Sequence, residues 1–352
     1  MSDNLATRIK LLSIGTKREG AADGQFAISY GVAFDHHRGL LFAADSENHR
    51  VQVFSYDDDG DGALFVSKFG EQGDQPGQFV NPDGIAIDRD HDRILIADCA
   101  NHRVQSWSLS EQSFLSCIGR HGSGDLEFYY PRSIAIDKHH RRIIIADTFN
   151  HRLVFLSSID LSFLFSIGGK QGSRPGEFCF PSSIAVDDDR HRVIVSDTFN
   201  NRVQVLSIGG SFLFEFGRQG SQPGQLSHPR GVCIANQGRI IIADYFNHRL
   251  QAFTHDGHHI SSFDSGSNYP QGVAFDEHRG LIAFTAGHQV HVIGANQWLA
   301  DTFTWLPDIH RYAPSWIKQV VSTMTMIRSL VDECSAMSMI PNELLFEIFS
   351  FL

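Results

Sequence analysis

The sequence predicts an all-β fold, a six-bladed β-propeller built from four-stranded antiparallel blades, and three observations support this prediction. A phrase that begins with Asp and ends in Asn-His-Arg recurs at intervals of 47 to 53 residues. Such a period is typical of propellers and solenoids. Each period holds four short apolar runs separated by turn residues, which is the content of one propeller blade. The inner-strand motif occurs six times. The copies of the phrase are 45–50, 98–103, 147–152, 197–202 (with Asn in the His place) and 244–249.

The first strand of each repeat is predicted to line the central channel. It is nearly continuous in apolar residues, as in Ile85-Ala86-Ile87, which suits a strand buried on both faces. Polar turns and two further apolar runs follow it, and a fourth, outer strand ends at a glycine-rich loop. The six inner strands are Gly31–Asp35, Gly84–Asp88, Ser133–Asp137, Ser183–Asp187, Gly231–Ala235 and Gly272–Asp276.

The sixth repeat is degenerate and lacks its own outer strand. Phe284 stands where the other repeats have Asp, and Gly287-His288-Gln289 replaces Asn-His-Arg. The N-terminal run Ile9–Ile14 has the character of an outer strand. Docking it on blade six would close the ring with both ends of the propeller and remove an exposed sheet edge. We therefore expect a flexible N-terminus at 1–8, a propeller at 9–294 and a helical tail at 295–352.

These repeats resemble the NHL repeat. The resemblance rests on the pattern Phe-Gly, Pro-Gly-Gln-Phe, Pro-x-Gly-Ile-Ala-Ile-Asp, Ile-Ala-Asp and Asn-His-Arg-Val-Gln, and it covers residues 9–293. It implies a six-bladed propeller. The Asp, Asn, His and Arg of each phrase recur blade by blade, so we interpret them as structural: Asn for a left-handed turn, and Arg for pairing with the Asp of a neighbouring blade.

Positions where the repeats differ are the candidates for a binding face. One such residue precedes the opening Gly or Ser of each inner strand, and together these residues should form a ring at the channel mouth. Aromatic residues on the same face form a second set, since an exposed aromatic cluster suggests a binding surface. The alternative is that each aromatic ring fills the gap to the next blade. The ring consists of Tyr30, Asp83, Arg132, Ser182, Arg230 and Gln271, and the aromatic set of Phe149, Phe199, Tyr245 and Phe246.

Basic loop residues on this face support an alternative, since some NHL propellers bind single-stranded RNA with basic and aromatic residues. Acidic residues in the same loops offset them, so no general basic footprint results. The net charge of −11 also disfavours unspecific attraction to nucleic acid or to an anionic membrane. The basic candidates are Arg120, Lys170, Arg174 and Arg218, in addition to the two arginines of the ring.

The remaining composition argues against cofactors, metals and membrane insertion. Five separated cysteines give neither a disulfide framework nor a thiolate zinc site, and no apolar stretch is long enough to span a membrane. The acidic segment Asp57–Gly62 begins like a calcium loop but has Lys68 where the bidentate Glu is due. Histidines in the turns belong to different blades, so we expect no converging metal ligands. A reducing, cytoplasmic location, a monomer and no cofactor are expected.

An enzyme is the second alternative. Some six-bladed propellers are metal-dependent lactonases or amidating lyases, and their ligands line the central channel. The inner apolar triplets here contain no His, Asp or Glu, so we expect no catalysis.

The tail resembles the opening helix of an F-box over Ile340–Leu352. A helix is predicted from Pro314 to Cys334, and a second apolar stripe suits docking to a partner helix or groove. The resulting interpretation is a non-catalytic protein-binding scaffold. Its expected partner is a protein, with a ubiquitin ligase adaptor as the partner of the tail and single-stranded RNA as the alternative ligand. The tail docking residues are Leu344, Leu345, Ile348, Phe349 and Leu352.

Overall fold

A computed structural model describes residues 11–57, 62–266 and 269–299 of the chain. The described residues form six antiparallel sheets of four strands each, and the first strand of every blade lines a central channel. The predicted all-β, six-bladed propeller is confirmed. Within the described ranges, no helix has the length and apolar character needed to cross a membrane.

Each blade contains four strands. Blades one to three contain β2 (Ser29–Asp35), β3 (Leu40–Asp45), β4 (Arg50–Tyr56) and β5 (Ala63–Phe69); β6 (Pro82–Asp88), β7 (Arg93–Asp98), β8 (Arg103–Ser108) and β9 (Phe114–Ile118); and β10 (Pro131–Asp137), β11 (Arg142–Asp147), β12 (Arg152–Ser157) and β13 (Phe163–Gly168). Blades four to six contain β14 (Pro181–Asp187), β15 (Arg192–Asp197), β16 (Arg202–Ser207) and β17 (Phe212–Phe216); β18 (Pro229–Ala235), β19 (Arg239–Asp244), β20 (Arg249–Phe253) and β21 (His259–Asp264); and β22 (Pro270–Asp276), β23 (Leu281–Ala286), β24 (Gln289–Gly294) and β1 (Leu11–Gly15).

Short helical segments occupy some of the turns. The 3-10 turns are Ser46–Asn48, Arg89–His91, Cys99–Asn101, Thr148–Asn150, Thr198–Asn200, Asn236–Gly238 and Tyr245–Asn247. One α-helix, α1 (Ala295–Leu299), follows β24. Trp298 and Leu299 of this helix are buried against blade five and blade six, and the Trp298 ring lies 5.8 Å from Phe263.

The N-terminal strand closes the ring, as the sequence predicts. β1 pairs antiparallel with β24, with Leu11 opposite Ile293 and Ile14 opposite Val290. Ile14 is buried in the core between blades six and one. Both ends of the propeller therefore contribute strands to the same sheet, and β24 is not left as an open edge.

The hydrophobic core lies between neighbouring blades. In one typical cluster, Ile144 and Phe155 of blade three pack against Val193 and Leu206 of blade four. The second and third strands are buried on both faces, whereas the outer strands alternate between half-buried and exposed residues. Each blade therefore depends on its neighbours for burial, which is why a closed ring is required.

A buried polar network fixes each Asn-His-Arg turn. In blade three, the Asp147 carboxylate accepts hydrogen bonds from Asn150 Nδ2 at 2.8 Å, Arg152 Nε at 2.7 Å and the Tyr129 amide at 2.7 Å. The arginine then donates to three carbonyls of the loop that connects β9 of blade two to β10 of blade three. The prediction that Arg pairs with a neighbouring blade's Asp is wrong, because β11 and β12 place both residues opposite each other in one sheet.

The left-handed residue of the turn is the fifth of the phrase, not the Asn in fourth place. His151 has φ 53°, while Asn150 stays in the preceding 3-10 turn. In this geometry His151 Nδ1 accepts a hydrogen bond of 3.2 Å from the backbone amide of Phe180 in the next blade. Asn201 accepts from the His228 amide in the same way at 2.9 Å. The repeated His or Asn thus connects consecutive blades.

Several predictions fall on residues outside the described ranges. These are the flexible N-terminus at 1–8, the helix from Pro314 to Cys334, the F-box-like segment 340–352 with its docking residues, and most of the acidic loop between β4 and β5.

Candidate active site

The six inner strands open on one face into a small polar cavity. The residues that begin these strands converge there because all six inner strands run in the same direction around the channel. The cavity has a volume of about 100 Å³, with apolar side chains such as Val32 and Ile134 in its wall. It brings together the six variable residues of the predicted ring, Tyr30, Asp83, Arg132, Ser182, Arg230 and Gln271.

Asp83 is the carboxylate of this cavity. Its side chain exposes 15% of its surface, and its Oδ2 lies 3.9 Å from Arg132 Nε. Burial raises the pKa of Asp83 to about 6, although the charges of Arg132 and Arg230 act to lower it. At neutral pH the group is therefore mostly ionised and retains a strong affinity for a proton.

The two arginines supply positive charge from blades three and five. Burial acts to lower the pKa of Arg132, but the nearby Asp83 carboxylate counteracts it, and the pKa of Arg132 is raised overall. Arg230 donates from Nη1 to Gln271 Oε1. Its guanidinium carbon lies 3.6 Å from the centre of the Tyr245 ring, a cation–π contact.

Each of the two arginines has one buried N–H donor that makes no hydrogen bond to a described residue. These donors are Arg132 Nε and Arg230 Nε, although Arg132 Nε lies 3.9 Å from Asp83 Oδ2. Buried donors without partners are uncommon and call for an explanation. An anionic or carbonyl oxygen in the cavity would satisfy both.

Tyr30 and Cys99 remain neutral. Burial and the nearby Asp83 charge raise the pKa of Tyr30, so its hydroxyl can donate a hydrogen bond. Burial also raises the pKa of the Cys99 thiol, and only 6% of this residue is exposed. A thiol acts as a nucleophile only as thiolate, so Cys99 is not suited to nucleophilic attack.

Close contacts between inner strands explain the Gly and Ser residues beside the ring. A Cβ on Gly31 would lie 2.1 Å from the Asp83 carbonyl oxygen, so blades one and two approach too closely for a side chain. Where the sequence has Ser133 instead, its hydroxyl accepts a hydrogen bond from the Ile184 amide of the next blade at 3.2 Å. Ser182 Oγ lies 2.7 Å from Thr198 Oγ1.

The predicted aromatic residues belong to a longer arc on the same face. Phe149 and Phe199 do not touch each other; Phe180 lies between them, with ring-centre distances of 5.0 Å and 4.8 Å. His228 connects Phe199 to Phe246 in the same way, at 5.1 Å and 4.6 Å. The rings therefore contact the neighbouring blade, and Phe199 and Phe246 still expose about half of their surfaces.

Sequence reasoning missed the connecting members of this arc. Four of them stand directly before the proline that opens an inner strand, and Tyr129 stands one residue earlier, so their position in the repeat was a readable signal. Three of them adopt positive φ, with values from 51° to 54°. Such backbone is held only where surrounding structure enforces it, here by the interblade hydrogen bonds described above. The missed residues are Tyr129, Tyr130, Phe180, His228 and Tyr269.

The four basic loop residues are not part of the cavity lining. Arg120 has 80% of its side chain exposed and pairs with Glu127 at 2.9 Å. Lys170, Arg174 and Arg218 are also exposed. The positive charge of the cavity comes from the two ring arginines.

Comparison with known families gives two partial matches. Residues 9–116 match the SMP-30/Gluconolactonase/LRE-like region, and residues 178–206 and 226–253 match the NHL repeat. Among curated proteins, Protein brain tumor of Drosophila melanogaster is 31% identical over 90 residues, which is 25% of this chain and 8% of that protein. The chain thus matches only a small part of that relative.

Solved structures share the fold. A gluconolactonase from Xanthomonas campestris is 16% identical, with a TM-score of 0.60 over 84% of this chain and 93% of the other. Virginiamycin B lyase from Staphylococcus aureus is 12% identical, with a TM-score of 0.54 over 81% and 99%. A streptogramin B lyase is 10% identical, with a TM-score of 0.55 over 81% and 97%. At these identities the likeness establishes the fold alone.

The expectation of a non-catalytic scaffold is wrong. The match of residues 9–116 to the SMP-30/Gluconolactonase/LRE-like region points instead to a lactonase-like propeller, the second alternative drawn from the sequence. That expectation rested on the absence of His, Asp and Glu from the apolar triplets of the inner strands. Asp83 lies just before such a triplet and still lines the channel. The chain contains NHL repeats and an SMP-30/gluconolactonase/LRE-like region on one six-bladed propeller.

Proposed function

We propose that the cavity hydrolyses a small lactone, with Asp83 as the general base and Arg132 and Arg230 as the groups that bind the oxyanion. The observation that carries this proposal is the Asp83 carboxylate, which has a pKa of about 6 and is influenced by both guanidinium groups. The gluconolactonase-like segment contributes Tyr30 and Asp83 to the cavity. This is the arrangement that ester hydrolysis needs: a base beside preorganised donors.

The proposed reaction begins with water. Asp83 accepts a proton from a water molecule while the water oxygen bonds to the lactone carbonyl carbon. The carbonyl electron pair moves onto the oxygen, and the free Nε–H groups of Arg132 and Arg230 stabilise the resulting charge. When the carbonyl re-forms, the ring C–O bond breaks and the ring oxygen takes the proton from Asp83. The product is a hydroxy acid, which ionises to a carboxylate that the arginines hold until release.

A catalytic metal does not fit this cavity. A divalent ion needs several carboxylate, amide or imidazole donors. Asp83 is the single carboxylate in the described cavity lining, and no histidine lines it. The guanidinium of Arg132 already occupies the space beside Asp83 and would repel a cation. The proposal therefore assigns the electrophilic role to the arginines.

A lactone panel tests the proposal. Five- and six-membered lactones, including sugar lactones, would be followed by proton release in a weakly buffered indicator assay with the full chain. We expect hydrolysis above background, and Asp83→Asn should lower kcat/KM by about 10²–10⁴-fold. Arg218→Met, an exposed residue outside the cavity, is the matched control and should retain activity. No acceleration by the wild type, or equal rates for wild type and Asp83→Asn, would refute the proposal.

A further inference from the structure

Three histidines converge on the face opposite the cavity. His36 follows the inner strand β2, and His278 follows the inner strand β22. Both inner strands begin at the cavity, so the residues that follow them lie at the far end of the channel. Blades one and six are neighbours only because the ring closes. Closure therefore brings together two turns that are far apart in sequence.

The ring geometry is close. The His36 ring lies 4.3 Å from the His37 ring and 4.2 Å from the His278 ring, and the His37 and His278 rings are 5.7 Å apart. One nitrogen of each side chain lies within 4.8 Å of the others. Three imidazole nitrogens at about 2.0–2.1 Å from one ion would need only a modest approach. His37 and His278 are exposed, so their side chains have room to rotate.

An acidic side chain lies beside the trio. The Glu277 carboxylate lies 4.0 Å from His278 Nε2. Asp276, beneath the turn, is buried and accepts a hydrogen bond from the Tyr56 hydroxyl at 2.7 Å. Arg279 Nη1 donates to the His36 carbonyl at 2.9 Å, which anchors the His36 backbone to the blade-six turn. The histidines thus sit on a rigid junction beside a carboxylate that could serve as a further ligand.

We propose that His36, His37 and His278 bind a divalent transition metal, with zinc as the best fit, and that this ion ties the first blade to the last. Three imidazole ligands suit zinc, copper and nickel better than magnesium or calcium. The site differs from the cavity in ligand chemistry and location. A metal that binds the folded ring but not the unfolded chain raises stability by mass action.

A second histidine group provides a matched control. His139 and His140 of blade three and His191 of blade four occupy equivalent turns. Their rings contact at 5.7 Å and 5.9 Å, nearly edge to face. Within the described residues, the blade-one and blade-six trio alone meets the metal-ligand distance. This second group has the same residue types, but its ring nitrogens do not converge, so it should not bind zinc tightly.

Zinc titration of the tag-free full chain tests the proposal. After chelator treatment and dialysis, isothermal titration calorimetry with zinc chloride should give one site per chain and a melting temperature that rises until one equivalent is added. His278→Gln should lower the zinc affinity at least tenfold and abolish the zinc-dependent rise in melting temperature. His191→Gln should keep the wild-type zinc affinity and the rise in melting temperature. Circular dichroism would confirm that each variant folds.

Two outcomes overturn the proposal. The first is that the wild type binds no zinc at 100 µM, a concentration on the order of a thousandfold above the dissociation constant of a tight structural site. The second is that His278→Gln and His191→Gln lose zinc affinity equally. Cobalt substitution gives an independent readout, because visible bands of a four-coordinate ion should appear in the wild type and not in His278→Gln. These measurements do not depend on lactone hydrolysis.

Discussion

Arg132 Nε lies 3.9 Å from Asp83 Oδ2, and this ion pair connects the inner strands of blades three and two at the mouth of the channel. The ion pair does not bring the pKa of Asp83 back to its ordinary value, because burial still raises this pKa to about 6. The structure thus keeps a carboxylate that is costly to ionise beside two guanidinium groups. Groups perturbed in this way cluster at functional sites.

Because Asp83 is costly to ionise in the folded protein, replacing it should stabilise the fold at neutral pH. The folded pKa of about 6 lies above the ordinary value of 3.8, so the Asp83 contribution is favourable in acid and is lost as pH rises through about 6. Asp83→Asn should raise the free energy of unfolding by roughly 1–3 kcal/mol at pH 7.5 and change it little at pH 4. Urea unfolding at both pH values measures this. A variant less stable than wild type at pH 7.5 would contradict the interpretation.

The contact between Arg230 and Tyr245 predicts an effect on substrate binding. Their 3.6 Å cation–π contact holds the guanidinium of Arg230, which lines the cavity. Tyr245→Leu should remove about 0.5–2 kcal/mol of this positioning and raise KM for the lactone several-fold. Steady-state kinetics measures the change, and an unchanged melting temperature would show that the fold is intact. An unaltered KM would mean that Arg230 does not contact the substrate.

The buried turn network predicts a large loss of stability in a single blade. Asp147 holds Arg152 at 2.7 Å and an interior amide at the same distance. Asp147→Ala should cost about 3–5 kcal/mol, because it leaves a buried guanidinium unpaired. Urea unfolding at pH 7.5 measures the cost. Arg120→Ala, at the exposed end of the ion pair with Glu127, is the control and should cost less than about 1 kcal/mol. Similar values for both variants would refute a structural role for the network.

Ring closure predicts that β1 is essential to the propeller. Deleting residues 1–15 removes Ile14 from the core and exposes the backbone edge of β24. We expect a clearly lower urea midpoint and a tendency to aggregate. Deleting residues 1–8 leaves β1 intact and serves as the control. If the longer deletion unfolds like the full chain, closure by β1 does not stabilise the domain.

The fold could be predicted because it is repeated locally. Five copies of one phrase defined the blade, and the orphan apolar run at the N-terminus predicted the closing strand. Finer details required coordinates. Asn150 and His151 are adjacent, and only the backbone shows which adopts the left-handed conformation. Likewise, the sequence predicted that Arg152 pairs with the Asp of a neighbouring blade, and only the register of β11 and β12 shows that its partner is Asp147.

The site was predictable in position but not in chemistry. The six ring residues share one place in the repeat, so the sequence could group them. Their interpretation failed because the pKa of Asp83 and the unpartnered donors of Arg132 depend on burial by other blades. The histidine trio was missed for a related reason: His36 and His278 meet only through ring closure.

The pH dependence of lactone hydrolysis tests the central claim most directly. If Asp83 is the base, kcat/KM should rise with pH through an apparent pKa of about 6 and then level off, because only the carboxylate accepts a proton. Arg132→Met should shift this limb to higher pH, since the Arg132 charge lowers the pKa of Asp83. Arg218→Met should leave the limb in place. A limb near the ordinary carboxyl pKa, or one that Arg132→Met does not move, would contradict the assignment of Asp83 as the base.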